Sequence, residues 1–284
     1  MIRGTGMDTY LEKYHIPAVD YSEGVKTAYP QGAQAKEFIL PKELLEQDCV
    51  ISLSKMKTHA LERITGAVKN SYGFIYGFHK AKGHTQYPSA DSFARMLIDL
   101  NKCVAPKLYV MDGIVAMEGN GPGSGDPVPM NVLLMSTDPV ALDSVFSRLV
   151  YLKPEMVPTN YHGEKMGLGT WKEEEITLLT PDGEISMAEA VKKYGNPAFN
   201  VDRTEVRKNI WTRMAGALNI FQKKPYIEAD KCVRCGICVQ SCPVPGKAVD
   251  FRKGKGKPPV YDYRKCIRCF CCQEMCPKKA IKVK

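Results

Sequence analysis

Apolar residues in the first part of the chain fall into short runs bounded by polar or glycine-rich stretches: EFIL at 37–40, CVISL at 49–53, KLYVM at 107–111 and NVLLMS at 131–136. Runs of this length read as strands. Between and after them the spacing turns helical, over roughly 60–72, 90–104 and 138–151. The last stretch opens with Thr137-Asp138-Pro139, a capping side chain ahead of a first-turn proline. Strands alternating with helices predict an α/β domain with a mostly parallel sheet. Such sheets gather ligands at their strand ends.

Residues 152–204 are less regular, with a strand expected at 175–179, a turn at Pro181-Asp182-Gly183 and a helix near 187–194. A further helix is expected over about 205–222, where Ile210, Met214, Leu218 and Phe221 recur at packing distance, and Pro225 then marks a boundary. The pattern divides the chain into an α/β domain (1–204), a connecting helix (205–224) and a tail (225–284).

The tail is an internal repeat. Each half reads as strand, cysteine loop, short helix and strand, and together they form a small α+β unit. The first loop is Cys232-x2-Cys235-x2-Cys238-x3-Cys242-Pro243; the second is Cys266-x2-Cys269-x2-Cys272-x3-Cys276-Pro277. This is the bacterial ferredoxin spacing, so the tail is expected to be a ferredoxin-like domain with two 4Fe–4S clusters. Three cysteines of one run reach one cubane and the fourth serves the other. Cluster one is therefore assigned Cys232, Cys235, Cys238 and Cys276. Cluster two is assigned Cys266, Cys269, Cys272 and Cys242. Cys271 reads as an unligated neighbour, with exchange for Cys272 as the alternative. Zinc fits poorly, because it takes four ligands from two CxxC pairs.

Of 11 cysteines only Cys49 and Cys103 lie outside the tail, and both read as buried core thiols. Metal-ligand spacing without an apolar leader favours a reducing cytoplasm over a disulfide scaffold. No apolar run is long enough to span a bilayer. The net charge is +9. The tail carries 14 Lys+Arg against 5 Asp+Glu, which is the whole of that excess. Two clusters at about −2 each offset part of it. The remainder either solvates the domain or forms a docking face for an acidic redox partner protein. No aromatic–basic pattern of a nucleic-acid module is present.

In the first domain, Lys55, Lys57, Thr58 and His59 follow the 49–53 strand, and Lys69 and Asn70 come some turns later. Three cations and an imidazole suit a small anionic ligand, with His59 and Lys57 in catalytic roles and Lys55, Lys69 and Asn70 binding. Asp112, at the end of the next strand, and Asn120 join the binding set. The plain alternative is solvated lysines and a capping or core histidine. The glycine-rich loop GNGPGSGDP (119–127) has no helix after it, so it reads as a flexible loop over a pocket rather than a phosphate cradle. His79 and His84 read as solvated residues of a loop.

The segments ISLSKMKTHALERITGAVKNSYGFIYG (51–77), YVMDGIVAMEGNGPGSGDPV (109–128) and LLMSTDPVALDSV (133–145) together resemble domain of unknown function family 362, over roughly residues 1–155. Members of that family often carry such a ferredoxin tail. They usually have a further stretch ahead of the position matching Met1, so the chain reads as short at its start. The resemblance supplies no reaction. Taken together, the residues point to an iron–sulfur electron-transfer protein, expected to be an oxidoreductase whose α/β domain binds a small anionic substrate or cofactor. The alternative is a non-enzymatic carrier or adaptor whose first domain docks a partner protein.

Overall fold

The computed structural model describes residues 6–77, 79–205 and 223–284. The connecting helix expected over 205–222 falls on residues 206–222, outside the described residues. A short helix α1 (Met7–Lys13) precedes a hairpin of β1 (Gly24–Ala28) and β2 (Glu37–Pro41), and α2 (Lys42–Leu45) leads into the main sheet. Then come β3 (Ile51–His59), β4 (Arg63–Thr65), α3 (Ala67–Asn70), α4 (His79–Gln86) and α5 (Ala90–Val104). These are followed by β5 (Leu108–Glu118), β6 (Asp126–Ser136), α6 (Pro139–Leu149) and α7 (Pro158–Lys165). A second hairpin, β7 (Leu178–Thr180) with β8 (Gly183–Ile185), and α8 (Met187–Tyr194) close the domain.

The central sheet has four strands in the order β4-β3-β5-β6. It is mixed, which corrects the expectation of a mostly parallel sheet: β3 pairs parallel with β5, but β3–β4 and β5–β6 are antiparallel. The cause is connection length. Parallel neighbours need a crossover of a dozen or more residues, and only the stretch from β3 to β5, which carries α3 to α5, is long enough. β5 and β6 run on through Met117 and Pro127 into what reads as loop, so the glycine-rich segment becomes a hairpin connection. The helix expected over 60–72 is replaced by β4, α3 and a 3-10 turn (Ser71–Phe74). Arg63 sits at φ 65°, which turns the chain back on β3 instead of winding it.

The two long helices form where capping chemistry predicts them. Ser89 Oγ accepts from Ser92 N at 3.1 Å, and Ser92 Oγ accepts from Ser89 N at 3.2 Å. Asp138 Oδ1 accepts from Val140 N at 2.7 Å and Ala141 N at 2.9 Å. Such caps each contribute about 1 kcal/mol. One face of the sheet (Met56, Ile64, Met111, Val132) packs on Leu142, Val145, Phe146 and Leu149 of α6. A second core surrounds Phe93, Met96, Leu97 and Leu100 of α5. On the opposite face Ile51, Leu53, Leu133 and Met135 are each more than half exposed, and strand register brings them together.

Asp143 of α6 is fully buried and accepts from Ala67 N at 2.5 Å and Val68 N at 3.1 Å, pinning α3 to α6. Burial outweighs the two amide donors and raises its pKa from 3.8 to about 7, with Asp138 adding to the rise. A carboxyl raised on folding stabilises fully below its unfolded pKa and loses that contribution as pH climbs through the folded one. Stability is therefore expected to fall between pH 3.8 and about 7, and Asp143→Asn to flatten that slope in urea melts at matched iron content.

Candidate metal centre and adjoining pocket

In the tail, β9 (Pro225–Ile227) pairs antiparallel with β12 (Ile281–Val283), and β10 (Val249–Asp250) with β11 (Val260–Tyr261). Each cysteine loop ends in a one-turn helix, α9 (Ile237–Gln240) or α10 (Cys271–Glu274). The backbone repeats with the sequence: Arg234 and Arg268, then Gly236 and Phe270, take positive φ at matching places. These left-handed turns bend each loop around a cavity. One cavity is lined by Cys232, Cys235, Cys238 and Cys276, the other by Cys266, Cys269, Cys272 and Cys242. Each set combines three cysteines of one run with the last of the other. Cys271 lines neither; its buried thiol lies against Cys269.

The donor chemistry suits an iron–sulfur cluster. Ile227 and Ile281 also line the first cavity, and Val249 and Tyr261 the second. Burial, with Cys232, Cys235 and Cys276 as neighbours, pushes the Cys238 thiol up to about 11. Four crowded thiols become thiolates only if a cationic centre compensates them. Ala248 N donates to Cys242 Sγ and Ala280 N to Cys276 Sγ, each at 3.3 Å, so the two last cysteines keep equivalent amide contacts.

The tail docks on the α/β domain through the glycine-rich segment. Gln273 Nε2 of α10 donates to Asn120 O at 2.9 Å and Gly121 O at 2.8 Å. Asn120 Nδ2 donates to Ile281 O at 3.0 Å, and Lys279 Nζ to Gly125 O at 2.9 Å. A Cβ on Gly123 would meet Glu274 O at 2.9 Å, which is why no larger residue fits there. This loop, expected to be a flexible cover, is an interdomain clasp.

Beside the clasp lies a buried polar cluster. Lys69 on α3 is 8% exposed and, among the described residues, has no carboxylate within salt-bridge distance. His59, at the end of β3, is buried; its Nδ1 accepts from Leu61 N at 3.2 Å and Glu62 N at 3.1 Å. The neutral ring therefore carries its proton on Nε2. Burial, with Lys69, His84 and Lys57 nearby, holds His59 well below the usual histidine range. Burial, and then Lys69, likewise lower Lys57. Glu62 has no exposed surface and neither carboxylate oxygen has a hydrogen-bond partner among the described residues. Burial raises its pKa far above the carboxylate range against the pull of Lys69. Tyr72 is raised by burial and by Cys271 and Glu274, which lie within electrostatic reach of its phenol.

Of the expected site residues, the structure brings Lys57, His59 and Lys69 together. Lys55 and Asp112 stand directly opposite each other in the β3–β5 register and pair at 2.6 Å on the open sheet face. Asp112 lies within β5 rather than at its end. Asn70 Nδ2 donates to Leu53 O at 3.1 Å, fastening α3 to β3, and Asn120 serves the clasp. His84, expected to be solvated in a loop, is buried on α4 with its ring 4.5 Å from that of Phe93, and burial lowers its pKa to about 3. Cys49, expected in the core, is exposed. Glu62 was missed, since no local pattern marks a glutamate for burial.

A cleft of about 420 Å³ runs from Thr58, His59 and Arg63 to Tyr226, Glu228 and Lys282 of the tail. Among the described residues no helix is long and apolar enough to cross a membrane.

The family model described as Domain of unknown function (DUF362) matches residues 1–148, more than half of the chain. The chain belongs to the DUF362 family. A model described as a 4Fe-4S dicluster domain matches residues 224–277 of this DUF362 protein, the span that holds both cysteine loops. The protein is 38% identical over 160 residues to a thylakoid-associated protein of Synechocystis sp., a match covering 56% of this chain and 49% of the relative. The chain thus spans about half the length of that relative. No solved structure matches it.

Proposed function

We propose that this DUF362 protein is a redox-coupled enzyme with two 4Fe–4S clusters, one in each four-cysteine cavity, acting on a small anionic substrate at Lys57 and Lys69. When bound, the clusters supply reversible one-electron chemistry. The observation that carries the reading is the clasp: it holds α10, next to the second cysteine set, against the domain whose Lys57 and Tyr72 lie within reach of Glu274. Lys57 and Lys69 fix the anion, and the poorly hydrated surroundings strengthen that attraction. His59 donates a hydrogen bond from Nε2 rather than acting as a base, because Nδ1 is already engaged. Burial favours the protonated form of Glu62 beside Lys69, against that lysine's pull. The basic tail receives an acidic redox partner, and a reducing compartment, the cytoplasm, suits the cysteines.

The rival reading is a carrier or adaptor that docks a protein through the apolar sheet face of Ile51, Leu53, Leu133 and Met135, which is exposed. Lys57→Ala and His59→Ala separate the two. The enzyme reading expects turnover to vanish in both while the iron–sulfur spectrum stays intact. Full electron flow between partners in those variants would sink it.

A further inference from the structure

β10 and β11 are joined by residues 251–259, FRKGKGKPP, which hold Arg252, Lys253, Lys255 and Lys257 and no acidic residue. Arg252 pairs with Asp262 at 3.4 Å, but the three lysines are exposed and, among the described residues, none of them forms an ion pair. Exposed lysines usually do no more than solvate a loop. This hairpin, however, is fixed in place. Gly254 takes φ 87° at its tip; its N donates to Phe251 O at 3.0 Å, and Lys257 N donates to Gly254 O at 3.2 Å. Arg234 Nη1 of the first cysteine loop donates to Gly256 O at 3.0 Å. Pro259 is buried and lines the first cavity itself.

The cavity that this hairpin borders is also the more open of the two. Val233, Arg234, Cys235 and Lys278 line it and are exposed, and its charged lining residues are both cations. No charged residue lines the second cavity, where Cys242 and Cys272 are buried and α10 is clasped to the α/β domain. The first cavity thus presents an apolar spot, Val233 beside Cys235, within a cationic rim of Arg234, Lys278 and the hairpin lysines. Transient redox contacts are small, below about 1,200 Å², and rely on charge attraction for their encounter rate. An electron crosses between proteins only at close approach, so that attraction is useful where a cluster ligand reaches the surface. A bilayer or a nucleic acid drawn by charge would have no need of lysines gathered around a cysteine cavity.

We infer that the hairpin tip at 252–257, with Arg234 and Lys278, is the docking surface for a small acidic protein that carries one electron, and that the electron enters at the cluster of Cys232, Cys235, Cys238 and Cys276. The assignment rests on the two-cluster electron-transfer reading proposed above. One electron leaves the reduced carrier, which is oxidised, and the cluster is reduced by one; no bond forms or breaks.

Stopped-flow mixing of the full, oxidised, iron-loaded chain with a reduced acidic plant-type [2Fe–2S] ferredoxin tests the inference. The second-order rate should fall steeply as salt rises. Lys253→Gln/Lys255→Gln/Lys257→Gln should lower it about tenfold or more at low ionic strength and flatten its salt dependence. Iron content and the spectral change on adding dithionite should stay those of the wild type. Lys107→Gln/Lys192→Gln/Lys193→Gln, which removes three exposed lysines of the α/β domain, should change the rate little. A hairpin variant as fast as the wild type overturns this inference alone. So does an equal loss in the α/β variant, or a wild type that dithionite reduces and the ferredoxin does not. Binding to phosphatidylserine vesicles that the hairpin substitutions abolish, with the rate unmoved, would give the hairpin to a bilayer instead. A chain without iron, or with a spectrum that no reductant bleaches, overturns the electron-transfer reading as well.

Discussion

Cys276→Ala is expected to cost the chain the cluster of the first cysteine loop, although Cys276 belongs to the second. The reason is the lining of the cavities: Cys276 shares a wall with Cys232, Cys235 and Cys238, while Cys242 faces Cys266, Cys269 and Cys272. Iron should fall from about eight to about four per chain. The decisive comparison is the double variant Cys232→Ala/Cys276→Ala. With crossed ligands both substitutions strike one cluster, and the double variant keeps about four irons. If each run served its own cluster, the same pair would strip both, leaving almost none. The effect on stability is large as well. With ligands crossed as proposed, each cluster would tie the β9–β12 side of the tail to the β10–β11 side, and a domain of this size has little apolar core to hold it otherwise. Loss of one cluster should lower the tail's unfolding midpoint in urea steeply, with the α/β domain melting separately and little changed.

That cysteine pattern was legible because ligand spacing is local: a tight loop carries its geometry in a few consecutive residues. The capped helices α5 and α6 were legible for the same reason, since Ser89 and Asp138 act within their own first turns. What escaped the sequence depends on distant partners. The ends of β5 and β6 pair with one another through residues that look like loop, so the sheet's polarity was misjudged. Lys55 and Lys57 were both assigned to one site, yet Lys55 stands opposite Asp112 and pairs with it, while Lys57, past the register shift, lies within electrostatic reach of Lys69. The burial of Glu62 and His84 is decided by α5 and its surroundings, which no window around either residue contains. The glycine-rich loop takes its role from α10, some 150 residues away (Gln273 to Asn120 spans 153 positions).

Lys69→Met is expected to weaken binding of the small anion by roughly 10²-fold, the usual scale for losing one preorganised charge in a water-poor site. Lys69 acts on five neighbouring groups: it pulls on Glu62 and depresses Lys57, Lys80, His59 and His84. An anion between Lys57 and Lys69 relieves that repulsion, so it should raise the protein's melting temperature with concentration in the wild type. In Lys69→Met the rise should be nearly lost, with iron content unchanged. The pH dependence discriminates further. His59 and His84 are held neutral, so affinity should be flat between about pH 6 and 7, where an ordinary histidine would titrate. It should decline only at alkaline pH, and earlier than for a free lysine, because burial and Lys69 have lowered the Lys57 pKa: the cation that holds the anion is lost as pH rises through that depressed value. An affinity that drops between pH 6 and 7 would assign the charge to His59 instead and remove the lysine pair from the site.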